Sequence, residues 1–244
     1  MKYFVISDIH SNYEALLSFA EIYEGLKKNG DVLICLGDIV GYGPYPSECI
    51  QYIHKNASKV ISGNHERMLL NESLRSFANE NAVSAIEWTD EALSEAEKAY
   101  LSHLPERLEF NEKCLMVHGS PVDPDKYILW KADVEEAIES LKKDFLHLCF
   151  FGHTHVPGLF DENGGYFYKE NSRVILFPEI DYLVNPGSIG QPRDGNPGSS
   201  FCVFDPERNT IDFIRYEYNI QKAYDDFVRK GLPEELGRRL FYGR

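Results

Sequence analysis

The sequence predicts an α/β protein in which two β-sheets lie against each other with helices outside. Two observations carry this expectation. Residues 1–65 alternate strand and helix in a βαβαβ order, the pattern of a parallel sheet with right-handed crossovers, whereas the second half is a series of short apolar strands punctuated by turn residues. Joining two such halves suggests two sheets that share one core.

The elements follow in order. "KYFVIS" reads as the first strand. After it, Ser11-x-x-Glu14 resembles a capping box, and Leu16, Phe19, Ile22, Tyr23 and Leu26 recur at helical spacing before a stop at Asn29-Gly30. "VLICL" (32–36) is a buried strand, "PSECIQYIHKN" a second helix and "KVI" (59–61) a third strand. Residues 66–104 are helix-forming and carry no strand signal. Beyond them "RLEF" and "CLMV" form a hairpin around "NEK", and "HLCFF", "YFYKE", "RVILF", "YLV", "SFCVF" and "TIDFIRYEY" are strand candidates, with Asp205-Pro206-Glu207-Arg208 as a turn. The last stretch returns to helix. The expectation is a single domain over 1–244, with a helical insert at about 66–104 and a helical tail at about 219–244.

Composition narrows the function classes. Of 244 residues, 43% are hydrophobic and 26% charged, ordinary for a globular protein, and no apolar stretch approaches the ~20 residues that span a bilayer, so no membrane partner is expected. The start, "MKYFVISDIHSN", turns polar after a short apolar run without a small-residue cleavage site, which makes it a first strand rather than a signal peptide. Cys35, Cys49, Cys114, Cys149 and Cys202 stand singly, mostly inside apolar runs, as buried reduced thiols do; a cytoplasmic location follows. The formal charge of −14, from 25 Lys and Arg against 39 Asp and Glu, opposes long nucleic acid as a partner, since that binding needs clustered positive charge. A small anionic substrate needs local compensation, which bound cations supply.

Ligands of open α/β sheets gather outside the carboxyl ends of the strands. There the sequence places "SDIH" (Asp8, His10), "LGD" (Asp38), "SGNHE" (Asn64, His65), "VHGS" (His118) and "FGHTH" (His153, His155). If extended geometry persists, His153 and His155 point to one side and converge on one object. Singly, each motif reads as readily as a turn, a cap or a satisfied core histidine. Together they form a set of oxygen and imidazole ligands that suits a first-row divalent metal, and the lack of thiolates excludes a zinc knuckle. Gly37, Gly63, Gly119 and Gly152 let the backbone turn beside them. His54, His103 and His147 read as structural or surface residues.

Asp8-x-His10, Gly37-Asp38, Gly63-Asn64-His65-Glu66, His118-Gly119 and Gly152-His153-Thr154-His155 stand in the order seen in the calcineurin-like metallophosphoesterase superfamily, which the chain resembles. "GDIVGYGPYP" (37–46) and "NPGSIGQPRD" (185–194) are similar to its small single-domain prokaryotic phosphoesterases and extend the match to about residue 204. The resemblance implies a four-layer α/β/β/α sandwich of two mixed β-sheets flanked by helices. It also implies two divalent transition-metal ions drawn from Mn, Fe, Zn, Co and Ni, and hydrolysis by a hydroxide held between them. Carried onto matching positions, it assigns Asp8, His10, Asp38 and His155 to one ion and Asp38, Asn64, His118 and His153 to the other, with Asp38 bridging. His65 becomes the catalytic histidine that faces the phosphoryl group and, protonated, donates a hydrogen bond or a proton. In the protein-phosphatase branch an Asp three residues after the Gly-Asp motif orients that histidine; here Gly41 stands in its place.

Arg193 in "GQPRD" and Arg67 after "GNHE" are the candidate substrate-binding cations, because a guanidinium fork matches phosphate oxygens; the alternative for each is a structural ion pair. Tyr42, Tyr45 and Tyr127 lie in loops just past motifs, where they line a pocket or serve packing, and "NPGS" reads as a tight turn in which Asn185 and Ser188 bond backbone. The expected function is a binuclear metal-dependent phosphodiesterase or phosphatase for a small phosphorylated substrate, with a modest preference for diesters because few cations flank the motifs. Four alternatives remain: a protein Ser/Thr phosphatase, a dinucleotide polyphosphate hydrolase, a nuclease of the same fold, and a metal-binding protein-interaction scaffold. Gly41 weighs against the first two, the acidic charge against the third and the complete ligand set against the fourth.

Overall fold

Alternation along the first strand decides the layering. In β1 (Tyr3–Ile6), Phe4 and Ile6 enter one apolar cluster while Tyr3 and Val5 enter another, so the strand is buried on both faces. The computed structural model describes residues 1–244, the side chain of Phe77 excepted. After β1 come α1 (Tyr13–Leu26), β2 (Val32–Cys35), α2 (Pro46–Asn56) and β3 (Lys59–Val60), with β1, β2 and β3 paired in parallel. Helices α3 (Asn64–Leu70), α4 (Glu80–Ala92) and α5 (Glu95–Ser102) follow, with a 3-10 turn over Glu72–Phe77. Then come β4 (Arg107–Phe110), β5 (Cys114–Val117), α6 (Lys131–Lys143), β6 (Leu148–Phe150), β7 (Gly158–Asp161) and β8 (Gly164–Phe167). The chain ends with β9 (Ser172–Ile175), β10 (Tyr182–Asn185), β11 (Ser199–Asp205), β12 (Thr210–Tyr216), α7 (Ile220–Arg229), α8 (Glu234–Arg238) and a 3-10 turn over Arg239–Tyr242.

Two mixed six-stranded sheets result, in the orders β3-β2-β1-β11-β12-β9 and β4-β5-β6-β10-β7-β8. Three apolar layers hold four structural layers together. Leu16, Phe19, Ile50, Ile53 and Phe227 seal α1, α2 and α7 onto the first sheet. Ile34, Phe150, Val184 and Phe204 fill the space between the sheets, and Leu115, Cys149 and Leu183 meet α6 on the far side. The α6 stripe is Val134, Ala137, Ile138 and Leu141, spaced i, i+3, i+4, i+7. Burying each large side chain stabilises by ~1.5–3 kcal/mol.

The expected α/β/β/α sandwich is what the chain forms, with local differences. The cap of α1 is Asn12, whose Oδ1 accepts from Ala15 N–H at 3.2 Å, and not Ser11, whose hydroxyl has no partner. Ser11 sits in the left-handed region at φ 54°, which turns its side chain away from the helix end. Neither α6 nor β7 was anticipated, and β8 and β9 begin two residues and one residue before the predicted starts. All five cysteines are buried and free, and no helix is long and apolar enough to cross a membrane.

Candidate metal centre

The loops leaving β1, β2, β5 and β6 bring six of the seven predicted ligand residues into two groups. Asp8, His10, Asp38 and His155 form one; Asp38, His118 and His153 form the other, and within each group the ligand atoms lie within 4.8 Å of one another. Asp38 belongs to both. The seventh, Asn64, joins the second group through Oδ1, 3.0 Å from His118 Nε2. His10, His118 and His155 are each nearly or wholly buried.

Backbone carbonyls set the imidazole tautomers. His10 Nδ1 donates to Val40 O at 3.3 Å, His118 Nδ1 to Leu36 O at 2.8 Å and His155 Nδ1 to Gln191 O at 2.5 Å. A carbonyl oxygen only accepts, so each Nδ1 carries the proton and each Nε2 turns a lone pair inward. His153 is reversed: its Nε2 donates to Asp125 O at 3.1 Å, which leaves Nδ1 for the centre.

This geometry repels itself without a cation. His10 and His155 face each other Nε2 to Nε2 at 3.2 Å, lone pair to lone pair when each Nδ1 carries the proton. Asp38 Oδ2 stands 3.5 Å from His10 Nε2 and 3.2 Å from His118 Nε2, and Asp8 Oδ1 is 3.2 Å from His155 Nε2. Among the described residues no Lys or Arg pairs with Asp8 or Asp38. The residues therefore fit divalent metal, whose charge the carboxylates balance and whose orbitals take the converging lone pairs.

Protonation shows the same pressure. Burial disfavours the His118 imidazolium, yet Asp38 and Asp8 outweigh it and raise its pKa to about 9. Burial, aided by the His118 charge, holds His153 down at about 3. Burial raises both buried carboxyls, but His155 beside Asp8 and His118 beside Asp38 bring them below their usual range.

The backbone that aims these groups is strained. Asp8, His10, Asp38, His153 and His155 all have φ between 49° and 64°. Each such residue costs roughly 1–3 kcal/mol unless its surroundings hold it. They do: His10 N–H donates to Asp38 O at 2.9 Å, Gly152 N–H to His118 O at 2.9 Å, and His153 N–H to Asp8 Oδ2 at 3.2 Å. Asn185 Nδ2 donates to Gly152 O at 2.7 Å and Ser188 Oγ to Asp8 O at 2.8 Å, the backbone bonding expected of "NPGS". Because β6 ends at Phe150 and His153 and His155 are left-handed, at φ 64° and 60°, the two do not converge on one object. They serve different groups.

Glu66 is the residue to which the motif reading gave no role. Fully buried in the first turn of α3, it accepts from the N–H groups of Asp38 at 2.9 Å, Ile39 at 2.8 Å, Val40 at 3.1 Å and Gly63 at 2.7 Å, fixing the loop that carries Asp38. Burial and the Asp38 charge push its pKa up to about 7 against those donors. Its position three residues after the Gly63 cap was the available signal. Gly63 matters too, since a Cβ there would overlap Asp38 Oδ1.

His65 stands apart from both groups. Its N–H donates to Asp38 Oδ1 at 2.9 Å, its ring lies 4.6 Å from that of His10 and 4.5 Å from that of Tyr42, and its buried Nδ1 has no partner among the described residues. That nitrogen lies against Gly41, where a Cβ would collide with it. Burial lowers its pKa to about 4 despite Asp38, so the ring is neutral near pH 7.

The two arginines diverge. Arg67 forms the ion pair that was its alternative: it pairs with Asp125, lies 3.9 Å from Glu106 and donates to Pro124 O. Arg193 donates to Gln191 Oε1 at 2.8 Å, and its charge reaches His65 and His155. A cavity of about 500 Å³ opens between the centre and the α3–α4 segment, with Tyr42, His65 and Tyr127 on one side and Met68, Leu74 and Ala82 on the other. Tyr127 stacks on His153 with ring centroids 3.8 Å apart, whereas Tyr45 turns to Arg229 and Lys230.

An α/β/β/α sandwich with carboxylates and imidazoles gathered at its strand ends defines the metallophosphoesterase class. The sequence matches the calcineurin-like phosphoesterase superfamily domain over residues 1–209, and the chain belongs to that superfamily of hydrolases. It is 37% identical over 245 residues to the uncharacterised protein MJ0912 of Methanocaldococcus jannaschii, covering 98% of this chain and 97% of the relative. It resembles a metallophosphoesterase crystal structure from Sphaerobacter thermophilus with a TM-score of 0.88 and 32% identity, over 100% of this chain and 99% of that one. The hypothetical protein PH1004 of Pyrococcus horikoshii matches with a TM-score of 0.81 and 25% identity, over 100% and 98%.

Proposed function

We propose that the chain is a binuclear metal-dependent phosphoesterase for a small phosphorylated molecule, a phosphodiester or a phosphomonoester. Asp8, His10, Asp38 and His155 hold one ion in this reading, and Asp38, Asn64, His118 and His153 the other. The observation that carries it is the pair of inward-facing imidazoles, His10 and His155, at 3.2 Å beside a carboxylate common to two ligand groups. Two divalent cations supply acidified water, polarised phosphoryl oxygens and charge stabilisation for in-line displacement.

The chain's own groups do the rest. Glu66 holds the Asp38 loop rigid, and the backbone carbonyls at Val40, Leu36 and Gln191 keep three imidazoles in the ligating tautomer. His65 has no carboxylate behind Nδ1 with which to share a proton. Its role is therefore to donate a neutral N–H hydrogen bond to a phosphoryl oxygen, stabilising charge as it develops. The non-reacting part of the substrate lies in the cavity between Tyr42, Tyr127 and the α3–α4 wall, which excludes water from one side.

Metal content and turnover test this together. Purified protein carries two transition-metal ions per chain, and with Mn²⁺ it hydrolyses bis-nitrophenyl or nitrophenyl phosphate in a chelator-sensitive way. Full metal loading without turnover of either, or of a panel of nucleotides, leaves the protein-binding scaffold as the better reading.

A further inference from the structure

The two ligand groups differ in what holds their imidazoles. The carbonyls that fix His10 and His155 belong to Val40 and Gln191, both buried. His153 is held from one loop, residues 119–130, between β5 and α6. Asp125 O accepts from its Nε2 at 3.1 Å, and Tyr127 stacks on its ring at 3.8 Å. Asp125 and Tyr127 are exposed. A ligating histidine is aimed by the partner of its other nitrogen, so His153 is only as well placed as this loop is fixed.

Within itself the loop is tight. Ser120 and Asp123 exchange backbone bonds at 2.9 and 3.2 Å, Asp125 N–H donates to Asp123 Oδ1 at 2.9 Å, and Pro124 O lies so close to Gly119 that a Cβ there would overlap it. On the α6 side Lys126 Nζ binds Glu136 at 2.5 Å and Asp133 at 3.3 Å, and Ile128 is buried. Toward α3 the loop is held by Arg67, whose Nη2 donates to Pro124 O at 3.3 Å and pairs with the Asp125 carboxylate. Helix α3 is the fixed end of this tie, because Met68 and Leu69, the next two residues, are seated in the core. Its first residue is Asn64. Arg67 is itself largely buried, with 12% of its side chain exposed, and it is not among the residues that line the cavity at the centre.

We propose that Arg67 is a positioning residue for one of the two ions. It ties the helix that carries Asn64 to the loop that aims His153, and so sets the affinity of the ion held by Asp38, Asn64, His118 and His153. The ion of Asp8, His10, Asp38 and His155 is outside its reach, since Val40 O and Gln191 O hold those imidazoles without the loop. A guanidinium suits the task, because its fork meets a carbonyl and a carboxylate at once, which an ammonium on a flexible stem does less well. The inference rests on the two-ion phosphoesterase reading. It moves Arg67 from the substrate, where the motif alone put it, to the scaffold behind two ligands.

The test titrates metal-stripped protein with Mn²⁺ by calorimetry and counts bound metal after gel filtration. Native protein shows two steps, and His153→Ala identifies which belongs to the second ion. Arg67→Gln leaves the other step within about twofold of native and weakens that one about 10- to 100-fold, the size of effect that an outer partner of a ligand has. Arg67→Lys recovers part of the loss. Asp125→Asn, which keeps the carbonyl and removes the ion pair, loses less in the same step. Excess Mn²⁺ returns the nitrophenyl phosphate turnover of Arg67→Gln toward native at an unchanged KM. Equal weakening of both steps marks a structural prop and overturns the inference, as does an unaltered second step. A raised KM at full metal loading makes Arg67 a substrate contact and overturns it too. Should Arg67→Gln not fold, Asp125→Asn decides alone by the same criterion. A single step in native protein overturns the two-ion reading and this inference together, whereas absent turnover with the two steps split as described tells against the phosphoesterase reading alone.

Discussion

Left-handed backbone occurs at both ends of the sandwich, and the two ends use it differently. At the distal end it falls on Asn111 and Glu112 in the β4–β5 turn, on Asn209 in the β11–β12 turn and on Phe145 ahead of β6, all exposed. At the site end it falls on Asp8, His10, Ser11, Asp38, Tyr42, His153 and His155, all buried. Asn in a hairpin turn adopts this conformation from local preference. Buried His and Asp adopt it because bonds from distant segments hold them, as Asp8 is held by His153 N–H and Ser188 Oγ. The distal turns are thus local choices, while the site stores strain that the whole sandwich maintains.

Breaking the common point of the two ligand groups has the largest expected effect. Asp38→Ala should release both ions and lower turnover on the order of 10³-fold or more, as read by metal analysis and nitrophenyl phosphate hydrolysis. Metal added to stripped native protein should raise its melting midpoint, because it binds only the folded centre. A full metal complement in Asp38→Ala would show that the two groups are independent sites.

The clamp on that loop comes next. Glu66→Gln presents an amide N–H₂ to backbone donors and leaves at least one buried N–H unpaired, which costs about 1–3 kcal/mol per group. Urea unfolding of chelator-treated protein should show a loss of that size, and metal affinity should fall by about 10- to 100-fold. A loss of stability at unaltered metal affinity would mean that the strain at Asp38 is not relayed through Glu66.

These tests also mark what the sequence carried and what it did not. Strand ends rich in Asp and His were readable because they follow apolar runs, and the αβ order placed them at one edge. The missing parts depend on tertiary structure. Glu66 acts on the N–H groups of a loop 26 to 28 residues before it. The partners of Arg67, Asp125 and Glu106, lie far along the chain and could not be named from the sequence. The α6 stripe at 134, 137, 138 and 141 was legible and simply stood among stronger strand signals, whereas β7 has only four residues behind a proline-bounded turn.

His65 sharpens the comparison at the site end, because its ring is placed by an absence. Gly41→Ala adds a Cβ where Nδ1 now lies and puts an alanine at φ 86°, so the ring must move. Gly41→Ala and His65→Asn should each keep both ions and lower kcat by up to ~10²-fold. Since His65 donates a hydrogen bond from a neutral ring, the loss should be similar for good and poor leaving groups. A loss that grows with leaving-group pKa would restore the general-acid role.

The smallest effect belongs to the distal end and serves as its control. Asn209 bonds through its backbone, its carbonyl accepting from Leu176 N–H at 2.7 Å, and its exposed side chain holds nothing in the centre. Asn209→Ala keeps that bond but places a residue with less tolerance for φ near 51° in the same turn, at a cost of about 1 kcal/mol. Denaturation midpoints should report that cost, and metal affinity and turnover should stay within error of native. A fall in metal affinity would mean that the two ends are mechanically coupled through β11 and β1, whose antiparallel pairing runs from this turn toward Asp8, and the contrast between local and imposed strain would then fail.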